Sequence, residues 1–229
     1  MPYSLDIVLG EHCFRLLADH GLYWPDQQTL FVADTHLGKE ATFRRHGIPV
    51  PRGSTDATLA RIAHMLEQTH AKRLCILGDM FHARSSLSRD VRQSVETFFG
   101  GFPDLAWLLV RGNHDANVGT LPTDWPIEVI EPGIAIQKVR LGHHPLDRSN
   151  APDVYLCGHL HPAARIRSVT ESLGPFPCFW HSRGCFVLPA IGEFTGKYIV
   201  ETSTKDSVWI VVDRQIHSLK TLTKSDGRS

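Results

Sequence analysis

The chain has 229 residues, a length at which one α/β domain can bury a full core without disulfides. Lysine plus arginine and aspartate plus glutamate both total 24, so the zero net charge excludes strong bulk attraction to nucleic acid or membranes. The 5 cysteines form no C-x-x-C pair, which argues against a disulfide framework and a cysteine zinc site. Neither a signal peptide nor a membrane-length apolar run is present, so we expect a soluble, cytoplasmic protein.

The first half of the chain alternates strand and helix patterns. Apolar runs predict strands at 4–9, 12–17, 21–24, 29–34, 73–77 and 106–110. Segment 39–53 is rich in glycine, proline and arginine and is predicted as a loop. One amphipathic helix is predicted from an N-cap at Ser54, and a second over 87–99. The order is a β-α-β-α-β series.

The second half of the chain is mostly β. Short apolar runs separated by turn residues predict strands at 127–131, 134–141, 153–157, 185–189 and 208–212. This order favours two sheets packed face to face, with helices on at least one outer side, over a single doubly wound sheet. We expect one domain over residues 1–220 and a disordered tail over 221–229.

Five polar motifs each follow directly after an apolar run. The carboxyl ends of strands meet at one rim of an open α/β sheet, so these motifs can meet at one site. They are Asp34-Thr-His36, Gly78-Asp79, Gly112-Asn113-His114-Asp115, His143-His144 and Gly158-His159-Leu-His161.

The first two motifs are weak when taken alone. Asp34 and His36 leave a strand at i and i+2, so a carboxylate and an imidazole can bind one ion from the same side. The two oxygens of Asp79 could bridge two ions, although a turn or N-cap aspartate is the simpler interpretation. His82 could line the same rim or lie in a surface turn.

The later motifs carry more information. Asn113 offers a neutral carbonyl oxygen to a cation, His114 can act on a substrate, and Asp115 can orient the imidazole beside it. His159 and His161 provide two imidazoles at i and i+2, which suits two neighbouring ions. Of His143 and His144 only one is needed, and the sequence leaves the choice open.

Taken together, the five motifs are too many for coincidence. Mixed oxygen and nitrogen ligands without thiolates suit Mn²⁺, Fe or Zn²⁺ better than Mg²⁺ or Ca²⁺. The sequence therefore predicts two divalent metal ions, with Mn²⁺ preferred.

The ordered motifs between residues 34 and 161 resemble those of the calcineurin-like metallophosphoesterase superfamily. The resemblance implies an αββα sandwich of two mixed sheets flanked by helices, and two metal sites that share Asp79. It also implies that His114 contacts the scissile phosphate and the leaving group, with Asp115 behind it. One metal would be held by Asp34, His36, Asp79 and His161, and the other by Asp79, Asn113, His143 (or His144) and His159.

Further segments cover nearly the whole chain and resemble a narrower branch. They include the stretch 32–55, GDMFHAR at 78–84 and the stretch 187–196. They are similar to the bacterial ligase-associated DNA-repair endonucleases, which are encoded with a helicase and an ATP-dependent DNA ligase. This resemblance implies a DNA substrate, preferably single-stranded, and a functional association with those two enzymes. Oligomeric state stays open.

The expected mechanism is hydrolysis without a covalent enzyme intermediate. Two cations about 3.5 to 4 Å apart would turn a bridging water into hydroxide for in-line attack, and His114 would aid the leaving group. Arginine contacts phosphate in a bidentate manner, although ordinary surface charge is an equal alternative for each candidate. Phe43 could stack on a base, but a core position is favoured. The phosphate candidates are Arg44, Arg45, Arg52, Arg84, Arg111 and His82.

Two other functions remain open at this point. One is a small-molecule phosphatase or cyclic-nucleotide phosphodiesterase, which the same ligands would serve. The other is a scaffold that has the fold without turnover, against which the complete ligand set argues.

Overall fold

The computed structural model describes residues 3–146, 154–167 and 172–219. Its first sheet has seven strands in the order of the sequence, antiparallel from β1 to β4 and parallel from β4 to β7. They are β1 (Ser4–Leu9), β2 (His12–Leu17), β3 (Leu22–Trp24), β4 (Thr29–Val32), β5 (Arg73–Ile76), β6 (Ala106–Val110) and β7 (Ile127–Ile130).

The second sheet is also mixed. Its main path runs β14-β11-β12-β13-β10-β9-β8, with β15 paired to β12 and β16 paired to β15. The strands are β8 (Ala135–Ile136), β9 (Val139–Leu141), β10 (Tyr155–Cys157), β11 (Pro162–Arg167), β12 (Ser172–Ser182), β13 (Cys185–Val187), β14 (Tyr198–Ile199), β15 (Ser207–Val212) and β16 (Gln215–Ser218).

The main core lies between the two sheets. Phe31 and Val110 of the first sheet share one buried cluster with Leu141 and Phe186 of the second. Strands of this kind are buried on both faces, which is why 30–32 and 74–77 are continuous apolar runs without alternation. The predicted α/β sandwich of two packed mixed sheets is confirmed.

Helices cover the other face of the first sheet. Leu59, Ile62 and Leu66 are buried on the predicted face of α2, in one cluster with Val91 and Val95 of α3. The four α-helices whose bounds lie within the described residues all precede Gly119 in the chain, so these flanking helices belong to its first half. They are α1 (Lys39–Arg45), α2 (Ser54–Thr69), α3 (Arg89–Gly101) and α4 (Asp115–Val118).

The structure corrects several local predictions. The loop predicted over 39–53 begins with helix α1, because Lys39–Arg45 consists largely of good helix formers and the helix-breaking residues come only after it. Ser54 is the first residue of α2, whose N-cap is Gly53. The single strand predicted over 134–141 is split by a turn at Gln137 and Lys138, both of which have positive φ.

Three predictions from the sequence concern membrane segments, the C-terminal tail and the number of domains. No helix among the described residues is long and apolar enough to cross a membrane. The predicted disordered tail at 221–229 lies outside the described residues. A single domain over 1–220 stays a prediction.

Candidate metal centre

The predicted motifs lie just after parallel strands of both sheets. Asp34 follows β4, Asp79 follows β5 and Asn113 follows β6, all in the first sheet. His143 follows β9 and His159 follows β10, in the second sheet. The carboxyl ends of parallel strands meet at one edge of each sheet, and the packed sheets bring the two edges together.

Three of the predicted ligands form a first cluster. The ligand atoms of Asp34, His36 and His161 lie within 4.8 Å of one another. His36 Nε2 lies 3.4 Å from His161 Nε2, and His161 Nε2 lies 3.4 Å from Asp34 Oδ1. Two imidazole nitrogens and a carboxylate oxygen therefore converge on one point.

A second cluster is centred on His143. Its Nε2 lies 3.3 Å from Asp79 Oδ2, 3.0 Å from Asn113 Oδ1 and 3.2 Å from His159 Nδ1. Its Nδ1 lies 2.9 Å from the carbonyl oxygen of Leu77, which can accept the ring proton and so leave Nε2 unprotonated toward the cluster. Four potential ligand atoms thus face each other across the two sheets.

The two clusters adjoin each other. Ligand atoms of Asp34, Asp79 and His143 also lie within 4.8 Å of one another. His144 forms a further group with His143 and His159, but its side chain is exposed whereas His143 is fully buried. The geometry gives His143 contacts with Asp79 and Asn113 that His144 does not have among the described residues.

Each central carboxylate binds a backbone N–H with one oxygen and presents the other to a cluster. Asp34 Oδ2 accepts a hydrogen bond of 2.9 Å from the N–H of His159, whereas Asp34 Oδ1 is buried and has no hydrogen-bond partner. Asp79 Oδ1 accepts a 2.9 Å bond from the N–H of His114, whereas its Oδ2 faces His143. A buried carboxylate oxygen without a donor is costly unless a cation contacts it.

The buried side chains of the two clusters have shifted pKa values. Burial raises the pKa of Asp79, but the hydrogen bond and charge of His143 outweigh it and bring the pKa to about 2. Burial lowers the pKa of His143, yet Asp79 and Asp34 reverse this effect and raise it. Burial, with the charge of Lys39, lowers the pKa of His36 to about 2. Buried carboxylates beside imidazoles are a donor set that fits divalent cations, and a cation bound there would displace the proton of His143.

The backbone of the motifs is conformationally unusual. Non-glycine residues rarely adopt positive φ, and each such residue costs on the order of 1 kcal/mol. Left-handed conformations at five of the predicted ligands turn their side chains toward the clusters at that cost. The residues are Asp34 (φ 54°), His36 (44°), Asp79 (53°), His159 (71°) and His161 (52°).

Two motif glycines make room for the ligands of other motifs. A Cβ atom on Gly78, whose φ is 85°, would overlap the His143 imidazole. A Cβ atom on Gly112 would overlap the Asp79 carboxylate. The glycines therefore allow the close approach that brings the ligands together.

We expected Asp115 to orient the His114 imidazole, but its carboxylate binds backbone groups instead. Its carboxylate accepts hydrogen bonds from the backbone N–H groups of Asp79 (2.8 Å), Gly112 (3.0 Å) and Phe81 (3.2 Å). The reason is that Asp115 begins α4 and its side chain turns back toward the segment after β5. Asp115 thus fixes the backbone that presents Asp79.

His114 is oriented instead by the segment around His82. His114 Nδ1 lies 2.7 Å from the carbonyl oxygen of His82, and the two rings stack with centroids 4.7 Å apart. The His114 Nε2 atom lies 3.9 Å from Asp79 Oδ2. Nδ1 of His114 can therefore donate to the backbone, leaving Nε2 beside the clusters.

Lys39 lies near the clusters, although the sequence did not predict it as a site residue. This residue begins α1 and is only 9% exposed, and burial lowers the pKa of its ammonium group although Asp79 and Asp34 oppose that effect. Lysine is rarely buried without a partner, and no hydrogen bond or ion pair holds this ammonium group in the described part of the chain. The sequence placed Lys39 in a loop, which gave no sign of its burial.

The candidate arginines are not drawn into the clusters. Arg111 pairs with Glu131 at 2.8 Å, and Arg44 bonds to the carbonyl oxygen of Pro51 at 3.4 Å. The other three, Arg45, Arg52 and Arg84, are exposed. Within residues 3–146, 154–167 and 172–219, none of the five has a hydrogen bond or ion pair to a motif residue.

We expect Gly112→Ala to weaken metal binding about 10- to 100-fold, because the added methyl group would displace the Asp79 carboxylate. Isothermal titration of the metal-free variant with Mn²⁺ measures the change. Gly100→Ala is the matched control, since a Cβ atom at Gly100 meets no atom within 4 Å. Equal affinity in Gly112→Ala and the wild type would contradict the expected crowding.

We expect Asp115→Asn to lower the free energy of unfolding by about 2 to 4 kcal/mol, because an amide cannot accept all three backbone N–H groups. Urea denaturation in EDTA measures this loss without a contribution from metal. The exposed Asp104→Asn should change the value by less than about 0.5 kcal/mol. A loss that small in Asp115→Asn would rule out the backbone-fixing role.

Comparisons with known proteins identify the family of the chain. The model of the calcineurin-like phosphoesterase family matches residues 28–136. Among solved structures, the chain is similar to Pseudomonas putida nuclease MPE, with a TM-score of 0.81 and 30% identity over 94% of this chain and 99% of that chain. It also matches Yfce, a phosphoesterase from E. coli, with a TM-score of 0.39 and 15% identity over 82% of this chain and 95% of that chain. No curated protein matches.

The resemblance stated from the ordered motifs is thereby confirmed. The relative with 30% identity extends over nearly the whole of both chains, so the likeness is not limited to the motifs. The chain belongs to the calcineurin-like phosphoesterase family and is a metal-dependent phosphoesterase.

Proposed function

We propose that the protein is a binuclear phosphodiesterase that cleaves DNA, preferably single-stranded, in bacterial DNA repair. The observation that carries the proposal is the pair of adjoining ligand clusters at the rim of the sandwich. The similarity to a nuclease over almost the full length of both chains supports DNA as the substrate. Because the sequence also resembles the ligase-associated DNA-repair endonucleases, we extend the proposal to cytoplasmic work alongside a DNA helicase and an ATP-dependent DNA ligase.

In this proposal each cluster holds one cation, and Mn²⁺ is the preferred metal. The first cluster takes Asp34, His36 and His161, and the second takes Asn113, His143 and His159, with Asp79 shared between them. His143 is chosen over His144 because its Nε2 faces Asp79 and Asn113. When bound, a pair of such ions supplies Lewis-acid activation of water and neutralises phosphate charge.

His114 acts on the leaving group. Its backbone N–H is bound to Asp79 and its Nδ1 to the His82 carbonyl oxygen, so the ring can move little. Nε2 is the other ring nitrogen, and in the protonated imidazole it donates a hydrogen bond to the departing oxygen. Asp115 supports this arrangement indirectly, through the backbone of Asp79.

Lys39 is the further residue that we assign to phosphate binding. Its ammonium group is buried beside the clusters and feels the charges of Asp79 and Asp34. A phosphate held at the metal centre would provide the anionic partner that no side chain provides among the described residues. The DNA would have to extend along the rim to contact the other phosphate candidates. These are His82, Arg44, Arg45, Arg52, Arg84 and Arg111.

We expect DNA cleavage to be lost in EDTA and restored by Mn²⁺ more fully than by Mg²⁺, because histidine-rich sites favour the former. A single-stranded oligonucleotide, a nitrophenyl phosphate diester and the monoester are compared across a panel of metals, with end-group analysis. Asn113→Ala should lose at least about 100-fold in cleavage rate. The exposed Gln68→Ala is the control.

Each outcome of this comparison decides between functions. Cleavage of the diester and the oligonucleotide supports the proposal. Hydrolysis of the monoester alone would identify a phosphatase instead, and no hydrolysis with two bound metals would identify a scaffold.

We expect His114→Ala to slow oligonucleotide cleavage about 100- to 10,000-fold, because an alkoxide leaving group needs a proton. Hydrolysis of a nitrophenyl diester should slow much less, because nitrophenolate leaves without one. Initial rates of both substrates give the ratio, and His217→Ala on β16 controls for loss of an unrelated imidazole. Equal losses on both substrates would show that His114 does not serve the leaving group.

A further inference from the structure

A phenylalanine near the metal centre is exposed to solvent. Phe194 is 41% exposed and has a φ of 56°, a conformation that is unusual for a bulky side chain. An exposed apolar ring on strained backbone adds little to the core, so burial does not explain its conformation. Strain of this kind concentrates at functional sites.

The segment that carries Phe194 is bound to the metal centre on two sides. The N–H of Ile191 bonds to the carbonyl oxygen of Ala33, and the N–H of Gly192 bonds to that of Asp34, both at 3.1 Å. At the other end, Gly196 accepts a 3.1 Å hydrogen bond from His161 Nδ1. Phe194 is therefore held in position by two of the predicted ligands.

A line of rings joins Phe194 to the catalytic group. The Phe194 and Phe43 centroids are 6.4 Å apart, and the Phe43 and His82 centroids are also 6.4 Å apart. His82 in turn stacks on His114. The Lys39 ammonium lies 5.8 Å from the Phe43 centroid, so an anion-binding group adjoins the same surface.

We propose that Phe194, with the Phe43 ring packed edge to face against it, forms a stacking platform for an unpaired base of the nucleic acid whose phosphate lies at the metal centre. The proposal rests on the proposed function and names the feature of the substrate that is recognised. Every base has a π-face, so stacking tolerates any sequence but requires a base that is free of its duplex partner. The preference for single strands would follow from this contact.

The charge of the protein points the same way. With 24 basic and 24 acidic residues, the chain lacks the bulk positive potential that attracts most DNA-binding proteins. Stacking on an aromatic ring is an attraction that needs no net charge. The platform therefore provides local affinity where long-range attraction is weak.

The first test compares an ordinary single-stranded oligonucleotide with oligonucleotides that carry one abasic residue at successive positions. For the wild type, an abasic residue at one position near the cut should raise KM about 5- to 150-fold. In Phe194→Ala this difference between the two substrates should disappear. Phe194→Trp should restore it, whereas Phe194→Leu, which keeps apolar bulk without an aromatic face, should not.

Tyr3→Ala is the matched control, because Tyr3 is 62% exposed and contacts Arg214 rather than the metal centre. This variant should show the same abasic effect as the wild type. If Phe194→Ala also keeps the full effect, or if Phe194→Leu restores it, the platform is ruled out.

The second test measures binding without catalysis. In EDTA, the added tryptophan of Phe194→Trp should be quenched by the oligonucleotide and not by the one with the critical abasic residue. Quenching in a protein that never cleaves DNA would support the platform and reject the proposed function. Cleavage without quenching would support the proposed function and reject the platform. The absence of both cleavage and quenching would reject both proposals.

Discussion

The site depends on two carboxylates, each of which binds the backbone with one oxygen and presents the other to a ligand cluster. Asp34 holds the N–H of His159, and Asp79 holds the N–H of His114, each through one oxygen. The other oxygen of each is left facing a cluster. One pair of side chains thus fixes the positions of neighbouring motifs and also supplies negative charge for the cations. Replacing either carboxylate would disturb geometry and charge together.

The clusters are maintained at a conformational cost. Left-handed backbone at residues such as Asp34 and Asp79, and glycines where a methyl group would not fit, are features that stability alone would not favour. Asp115 offsets part of this cost by binding three backbone N–H groups around Asp79. The core between the sheets supports the rest, because it fixes the strands from which the motifs extend.

The sequence predicted what depends on local chemistry. Strand-end aspartates and histidines were found because apolar runs and polar motifs are adjacent in the chain, and the sandwich followed from the change of pattern near residue 126. Helix α1 was not predicted because the prolines and glycines that follow it are typical of a loop. The contact of Asp115, the burial of Lys39 and the position of Phe194 depend on segments far apart in the sequence, so no local pattern could reveal them.

The origin of the clusters on both sheets has a consequence for the life of the protein in the cell. Asp34 and Asp79 extend from one sheet, and His143 and His159 extend from the other. Bound ions would therefore link the two sheets at this edge of the sandwich. Ligands that bind only the folded state raise its stability by mass action. Metal supply would then govern not only turnover but also resistance to proteolysis, and a cell starved of the metal would clear the empty enzyme faster.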